Sequence, residues 1–383
     1  MKKRRILYSV LLALLAMAVS YFSTNLNVAI FGERVVLKYW SSLASFCSSD
    51  SKNIVPEDVL FINISNDNQL IDVKNEFGKR IGNAAITDRV KLLELLKILK
   101  QTGDYTYVMM DVFFEEGYET AVDTMLFGII SSMDRIVIPR HVDGQLASPV
   151  LERKAFYSDY VTSIVDNNFT KYPLMDKKEM CISMPLKVYS DLTGGTIKKR
   201  GPLYMDNSAV SRRVVFPKMY VQIDEPYNSK GEKTYLNMGS DILDYLYSID
   251  VEGLFRDKIV AIGSFTNDDI HTTYAGDIAG CVINYNVLTS LLKGQHKIPP
   301  TLLLVYFMIF FIMSFLVLSG ASGKYQSMGW LWAKLFVLYS IVLTIVCVLV
   351  FMVWGQAHDV LITSSFFSCV DVCCKWNNKR KVQ

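Results

Sequence analysis

The sequence predicts an α/β fold: a mostly parallel sheet flanked by helices, with inserted β-hairpins, plus transmembrane helices at both ends. Three observations predict it. Apolar runs long enough to cross a membrane occur only towards the two ends of the chain. Strand-like and helix-like runs alternate from residue 59 to 140 and again from 240 to 294. Short strand patterns rich in turn residues fill 150 to 235.

The composition fits a chain of two characters. At 51% hydrophobic and 20% charged over 383 residues, with a mean hydropathy of +0.24, it is too apolar for an ordinary soluble protein. It is also too charged for a bundle of spans alone. The net charge of +3 comes largely from basic residues beside the apolar runs, so no nucleic-acid surface is implied.

A span takes about 20 apolar residues. The first candidate covers residues 6 to about 22, after KKRR. A basic start, an apolar run and small residues (AMAVS) also suit a cleaved signal peptide; the length of the run and the lack of a clean A-x-A site before STN favour an uncleaved anchor over residues 1–25. Either reading exports residues 26–300. TLLLVYFMIFFIMSFLVLSG (301 to 320) and LWAKLFVLYSIVLTIVCVLVFMVW (331 to 354) are full-length spans. DVLITSSFFSCVDVCCKW (359 to 376) is shorter and contains Asp371, so a span and an interfacial hairpin are both open. Asp371 itself is either a functional intramembrane acid or a residue snorkelling to the interface.

Charge distribution favours the fourth span. Cytoplasmic segments carry the excess of Lys and Arg. With four spans KKRR, Lys324 with Lys334, and Lys375 with Lys379, Arg380 and Lys381 all fall on the cytoplasmic side, while GQAHD (355 to 359), which has no Lys or Arg, falls outside. The expected layout is an exported domain over 26–300, three spans over 301–376 and a short cytoplasmic tail over 377–383.

Within the exported segment, residues 26 to 50 are expected to form a helix leading away from the membrane as a stalk or lid. VLFINIS (59 to 65), bounded by Pro56 and SNDNQ, reads as a buried strand. DRVKLLELLKILKQTG (88 to 103) reads as a helix stopped by Gly103, and YTYVMMDVFFEEG (105 to 117) as a second buried strand ending in an acidic loop. This βαβ order places the two strands parallel. A helix to about Met133 and the strand RIVIP follow, then the hairpin region with GGT, MDNSAVSRR and YNSKGEKTY. A helix at 240 to 248, the strand KIVAIG and a last helix from about Asn284 to Leu292 complete the core. Of the seven cysteines, Cys47, Cys181 and Cys281 lie in this segment, odd in number and widely spaced, so no disulfide framework is implied. The others read as small hydrophobes in the membrane part.

Chemistry-bearing residues gather at the strand ends. Asp111, Glu115, Glu116, Asp268, Asp269 and His271 all fall at or just after the C-terminal ends of expected parallel strands, the edge at which open α/β sheets bind ligands. A polar pocket for a small molecule or cation is one use for them; capping helix starts is the other. The four histidines, 141, 271, 296 and 358, are scattered, which disfavours zinc, and no metal or cofactor is expected. There is no Gly-rich phosphate loop and no G-x-S-x-G elbow, so the chain is not expected to be an enzyme.

Taken in order, these elements resemble a CHASE2 domain, the extracytoplasmic sensory domain of bacterial receptors, in which one span precedes the domain and three follow. VLFINIS resembles the family's first strand, with Asn63 and Ser65 at positions usually acidic and Asp67 close by. Arg89 falls where an arginine opens the first helix, and Asp111 matches the aspartate of the second strand. In MDNSAVSRR, Asp206 and Arg212 fit a hairpin whose usual glycine is here Asn207-Ser208. The segment 258 to 294 matches at Asp269, Gly280, Asn286 and the final Leu-Leu, with Ala279 for a proline and Asn284 for a histidine.

The resemblance implies a sensor in the bacterial cytoplasmic (inner) membrane, its large domain outside and both termini cytoplasmic. It adds Arg89, Asp67 and Asn286 to Asp111, Asp269 and His271 as ligand-binding candidates. With no kinase, cyclase or phosphatase after the last span, the expectation is a sensory half signalling through a separate effector, with a homodimer expected by analogy. A scaffolding subunit of a cell-envelope complex is the alternative.

Overall fold

The computed structural model describes residues 2–29, 31–47, 53–74, 79–118, 120–141, 144–163, 168–176, 178, 181–244, 251–266, 269–319 and 331–380. Asp268, Lys324, Lys381 and the end of the helix expected at 240 to 248 lie outside the described residues.

The chain begins with α1 (Lys2–Thr24) and α2 (Phe31–Cys47). Strand β1 (Val59–Asn63) is followed by a hairpin of β2 (Asn68–Lys74) and β3 (Arg80–Thr87) that the apolar pattern does not announce. Helix α3 (Arg89–Thr102) starts at Asp88, whose carboxylate accepts from the Val90 and Lys91 N–H groups, and stops at Gly103 with φ 65°. Both ends are the expected cap chemistry. Next come β4 (Tyr107–Met110), α4 (Asp123–Ser132), β5 (Ile136–Arg140) and β6 (Ala155–Tyr157).

The region read as hairpins is more mixed. It holds β7 (Val161–Thr162), β8 (Phe169–Pro173), a helix α5 (Met184–Thr193), the meander β9 (Ile197–Arg200), β10 (Leu203–Asp206) and β11 (Ala209–Ser211), then β12 (Val214–Val215) and β13 (Leu236–Asn237). A π-helical turn, Met238–Leu243, occupies the start of the expected helix at 240, and α6 (Val251–Phe255) follows later. After β14 (Ile259–Gly263) the chain makes a hairpin of β15 (Ile270–Thr273) and β16 (Gly276–Ala279), then α7 (Gly280–Leu292). Three long helices end it: α8 (Pro300–Ser319), α9 (Leu331–Trp354) and α10 (Val360–Arg380).

Among the described residues the main sheet is six-stranded, in the order β13-β1-β14-β4-β5-β6, and its pairings are parallel. Successive side chains point to opposite faces. Phe61, Met109 and Ala261 therefore enter one apolar layer with α5 and α7. Ile62, Val108 and Ile262 enter the other with α3 and α4. The result is a three-layer α/β/α core, whose strand ends Asn63, Met110 and Gly263 stand side by side.

A second sheet, β12-β8-β15-β16 with β7 beside β8, lies between this core and the apolar helices. Among the described residues three helical segments are long and apolar enough to cross a membrane: Lys3–Thr24, Pro300–Ser319 and Val337–Trp354. The fourth candidate is a helix, α10, with a shorter apolar part, Val360–Cys374. It packs on α8 and α9, while α1 runs along α8. Asp371 is buried on α10. Helix α2 does not lead away from these helices. It lies against α9 and α10, with Trp40 edge-on to Phe351 at 5.8 Å and no room for a side chain at Gly32, where a Cβ would come within 2.8 Å of the Leu361 nitrogen.

Candidate functional site

The strand order brings the polar residues that follow β1, β4 and β14 to one edge. β14 lies between β1 and β4, so the segments after Asn63, Met110 and Gly263 run side by side. They are tied together at once: the Asp111 N–H donates to the Ile262 carbonyl at 2.7 Å and the Ile64 N–H to the Gly263 carbonyl at 3.1 Å. The Asn63 side-chain oxygen accepts from the Ser65 N–H at 2.9 Å, and the Ser65 hydroxyl accepts from the Phe265 N–H at 2.7 Å. Gly263 lets α7 approach closely, since a Cβ there would sit 2.5 Å from that of Cys281.

Two adjoining cavities open on this edge and share Asp111, Phe113 and Asp269. The larger, about 370 Å³, is also lined by Ser65, Thr87, Arg89, Glu115, Ser264 and Thr266. The smaller, about 190 Å³, adds His141, Ser158, Asp159, Tyr160, Tyr172, His271 and Asn284.

Asp111 is the hinge of the two. Its Oδ2 accepts from the Asn284 amide at 2.9 Å, and the Asn284 oxygen accepts from the Tyr172 hydroxyl at 2.9 Å, which fixes the orientation of the amide. Removal from bulk water, then the nearby charge of Asp269, push the Asp111 carboxyl up to about 8, against the pull of the Asn284 hydrogen bond. Asp269 lies against the start of α7, where a Cβ on residue 280 would meet its Oδ1 at 2.6 Å; only glycine fits. His271 Nε2 is 3.2 Å from Asp269 Oδ1, and its Nδ1 is 2.7 Å from the Tyr160 hydroxyl. Across the smaller cavity His141 stacks on Phe113 at 4.2 Å and pairs with Asp159 at 2.9 Å.

Arg89 supplies the positive charge. It is 3% exposed, its guanidinium lies 4.3 Å above the Phe114 ring, and its Nε and Nη1 have no hydrogen-bond partner. A buried guanidinium left this way forfeits hydrogen bonds it would otherwise make to water.

Of the residues singled out from sequence, Asp111, Asp269, His271, Arg89 and Glu115 come together here. Asp67 and Asn286 line neither cavity. Asp67 accepts from Lys91 Nζ at 2.7 Å and from the Gly239 N–H at 3.0 Å, clamping α3 to the π-helical turn. Asn286, fully buried, holds the strand-like segment at Val221 by accepting from its N–H and donating to its carbonyl, both at 2.9 Å. The histidines are less scattered than their spacing suggests, since His141 and His271 share one cavity. Asp159 and Tyr160 join the site from the turn between β6 and β7, which carries no local motif, and Asn284 joins it from α7. No cluster of three His, Cys, Asp or Glu suited to a metal ion occurs among the described residues. Cys281, the neighbouring thiol, is buried and its thiolate is disfavoured by burial and by Asp111 and Asp269.

The same domain is tied to the apolar helices by polar groups, several of them buried. Lys171 on β8 pairs with Glu33 on α2 at 2.9 Å, with side-chain exposures of 0% and 1%. Arg212 donates to the Ala357 carbonyl in the connector between α9 and α10. Gln356 donates to the Lys297 carbonyl at 3.0 Å and Lys218 to the Met352 carbonyl at 2.9 Å. At the base of the meander Asp206 holds His296 at 2.9 Å and Lys297 at 3.0 Å, just before α8.

The chain matches no protein-family model, and searches among curated proteins and solved structures find no match to it.

Proposed function

We propose that this protein is a membrane-anchored extracytoplasmic sensor of the CHASE2 kind, binding a small solute at the Asp111–Asp269 edge and passing its occupancy to the spans. One observation carries the reading: a charged cavity at the sheet edge where α/β folds bind ligands is lined by a buried arginine with unpartnered nitrogens. Asp269 packs against the first residue of α7, and α7 leads into α8 through His296 and Lys297, both held by Asp206 of β10. A solute at Asp269 thus acts on an element one helix away from a span. The basic residues flanking the spans support termini in the cytoplasm and the domain outside. In this reading a partner protein in the membrane or cytoplasm reads the shift of the spans.

A scaffolding role has its own observation. Asn63 and Asn284, which stand where the family has an acid and a histidine, spend their side chains inside the protein: Asn63 bonds Asn237 and Ser65, and Asn284 bonds Tyr172 and Asp111. Thermal unfolding of the full-length protein in detergent, against a panel of small amino acids, sugars, dicarboxylates, polyamines and divalent salts, separates the two. A sensor is stabilised by some member of the panel, and Asp269→Asn abolishes the effect. A wild-type melting curve that nothing moves leaves the scaffold.

A further inference from the structure

The larger cavity has two ends of opposite charge. Arg89 contributes a guanidinium with two unpartnered nitrogens. Asp123, which acts on it electrostatically, already accepts from the Thr120 N–H and hydroxyl, both at 2.9 Å, so its oxygens are engaged elsewhere. The guanidinium lines the cavity, and a buried guanidinium with donors to spare suits a carboxylate. Asp111 and Asp269 contribute the opposite end, two carboxyls facing one cavity with a single fixed amide donor, Asn284, between them and the core. The hydroxyls of Ser65, Ser264 and Thr266 lie along the wall.

Building on the sensor reading, we infer that the solute is a small zwitterion of the α-amino-acid class, its carboxylate on Arg89 and its ammonium against Asp111 and Asp269. Neither charged end alone satisfies the site. A simple anion leaves the two carboxyls facing each other, and a simple cation leaves the guanidinium with only the charge of Asp123 beside it. A zwitterion neutralises both, and the cavity of about 370 Å³ is of the size that encloses a small ligand.

The test is calorimetric titration of the full-length protein in detergent with L-amino acids, each beside its decarboxylated amine and its desamino acid. The amino acid is expected to bind at least tenfold more tightly than either single-ended analogue. Arg89→Lys is expected to weaken the amino acid tenfold or more and leave the amine unchanged. Asp269→Asn is expected to weaken the amino acid and the amine, and to spare the acid. Unfolding curves of both variants establish that they are folded, and Arg89→Gln serves as a second variant at that position. An amine or an acid that binds as tightly as the amino acid, and loses binding with Asp269→Asn or Arg89→Lys respectively, overturns the zwitterion and leaves the sensor. Heats indistinguishable from dilution for all three classes, together with an unmoved melting curve across the wider panel, overturn both.

Discussion

Lys171 on β8 and Glu33 on α2 meet at 2.9 Å with both side chains closed off from water. Burial pushes the Glu33 carboxyl up to about 7 against the pull of Lys171, and it pushes the Lys171 ammonium down. A buried pair of this kind specifies a position more than it stabilises one, because desolvation of both charges offsets their attraction. Here it fixes the second sheet on the helix that packs against α9 and α10. Breaking it from one side leaves a lone buried charge.

Lys171→Met is therefore expected to destabilise the protein by about 3–5 kcal/mol, and the double variant with Glu33→Leu to recover most of the loss. Thermal unfolding in detergent reads both. Equal melting points for the single and double variants would show that the two side chains do not act as a pair.

Asp111→Asn is expected to raise stability at pH 8 and to leave it unchanged at pH 4. The folded carboxyl titrates near 8, well above its unfolded value, so the folded state holds a proton that the unfolded state has lost between about pH 4 and 8. Stability contributed by the proton is present at low pH and declines as pH rises through that window. Asp269, Cys281 and Tyr172 interact electrostatically with Asp111, and Arg89, Glu115, His141, Asp159 and His271 line the same cavities; only the asparagine change removes the Asp111 share. The gain is about 1–3 kcal/mol at pH 8, a few degrees in melting point. Parallel pH profiles for wild type and variant contradict it.

Gly280→Ala places a methyl 2.6 Å from Asp269 Oδ1 at the start of α7. Either the carboxylate or the helix end must move, at a cost of about 1–3 kcal/mol. Binding in the cavity is expected to fall with it, while the Lys171–Glu33 junction is untouched. Calorimetry on the folded variant is the check; wild-type affinity would separate Asp269 from the site.

Membrane orientation is open to direct labelling. In a cysteine-free background, Lys230→Cys, exposed on the hairpin turn of the large domain, is expected to react with an impermeant maleimide on intact cells. Lys3→Cys at the exposed start of α1 is expected to react only after lysis. The reverse pattern inverts the topology.

Some of this was legible from residues alone. α3 was, because Asp88, a leucine stripe and Gly103 give start, face and stop within one segment. α5 carried equally clear signals, Ser183 as cap, Pro185 in the first turn and Gly194 at φ 72°, but they sit among turn residues that suggest hairpins. The β2–β3 hairpin has no buried face to write an apolar alternation; Leu70 and Ile81 are 72% and 65% exposed. β13 and its π-helical turn are too short and irregular for any periodicity. At the site, Asp111 and Asp269 were legible because strand ends are where polar groups collect. Asp67 and Asn286 line neither cavity, and a buried polar side chain that satisfies backbone groups looks, in sequence, like one that awaits a ligand. The place of α2 is not legible locally, because its partners on α9 and α10 lie about 300 residues further along the chain.

The central claim is that occupancy of the cavity is felt at the membrane junction. Hydrogen–deuterium exchange on the full-length protein in nanodiscs measures it, with and without the solute from the panel that most shifts the wild-type melting curve. A sensor shows altered exchange in residues 109–118 and 280–286 at the cavity and also in residues 31–40 and 355–360 at the junction. Altered exchange at the cavity with an unchanged junction contradicts it.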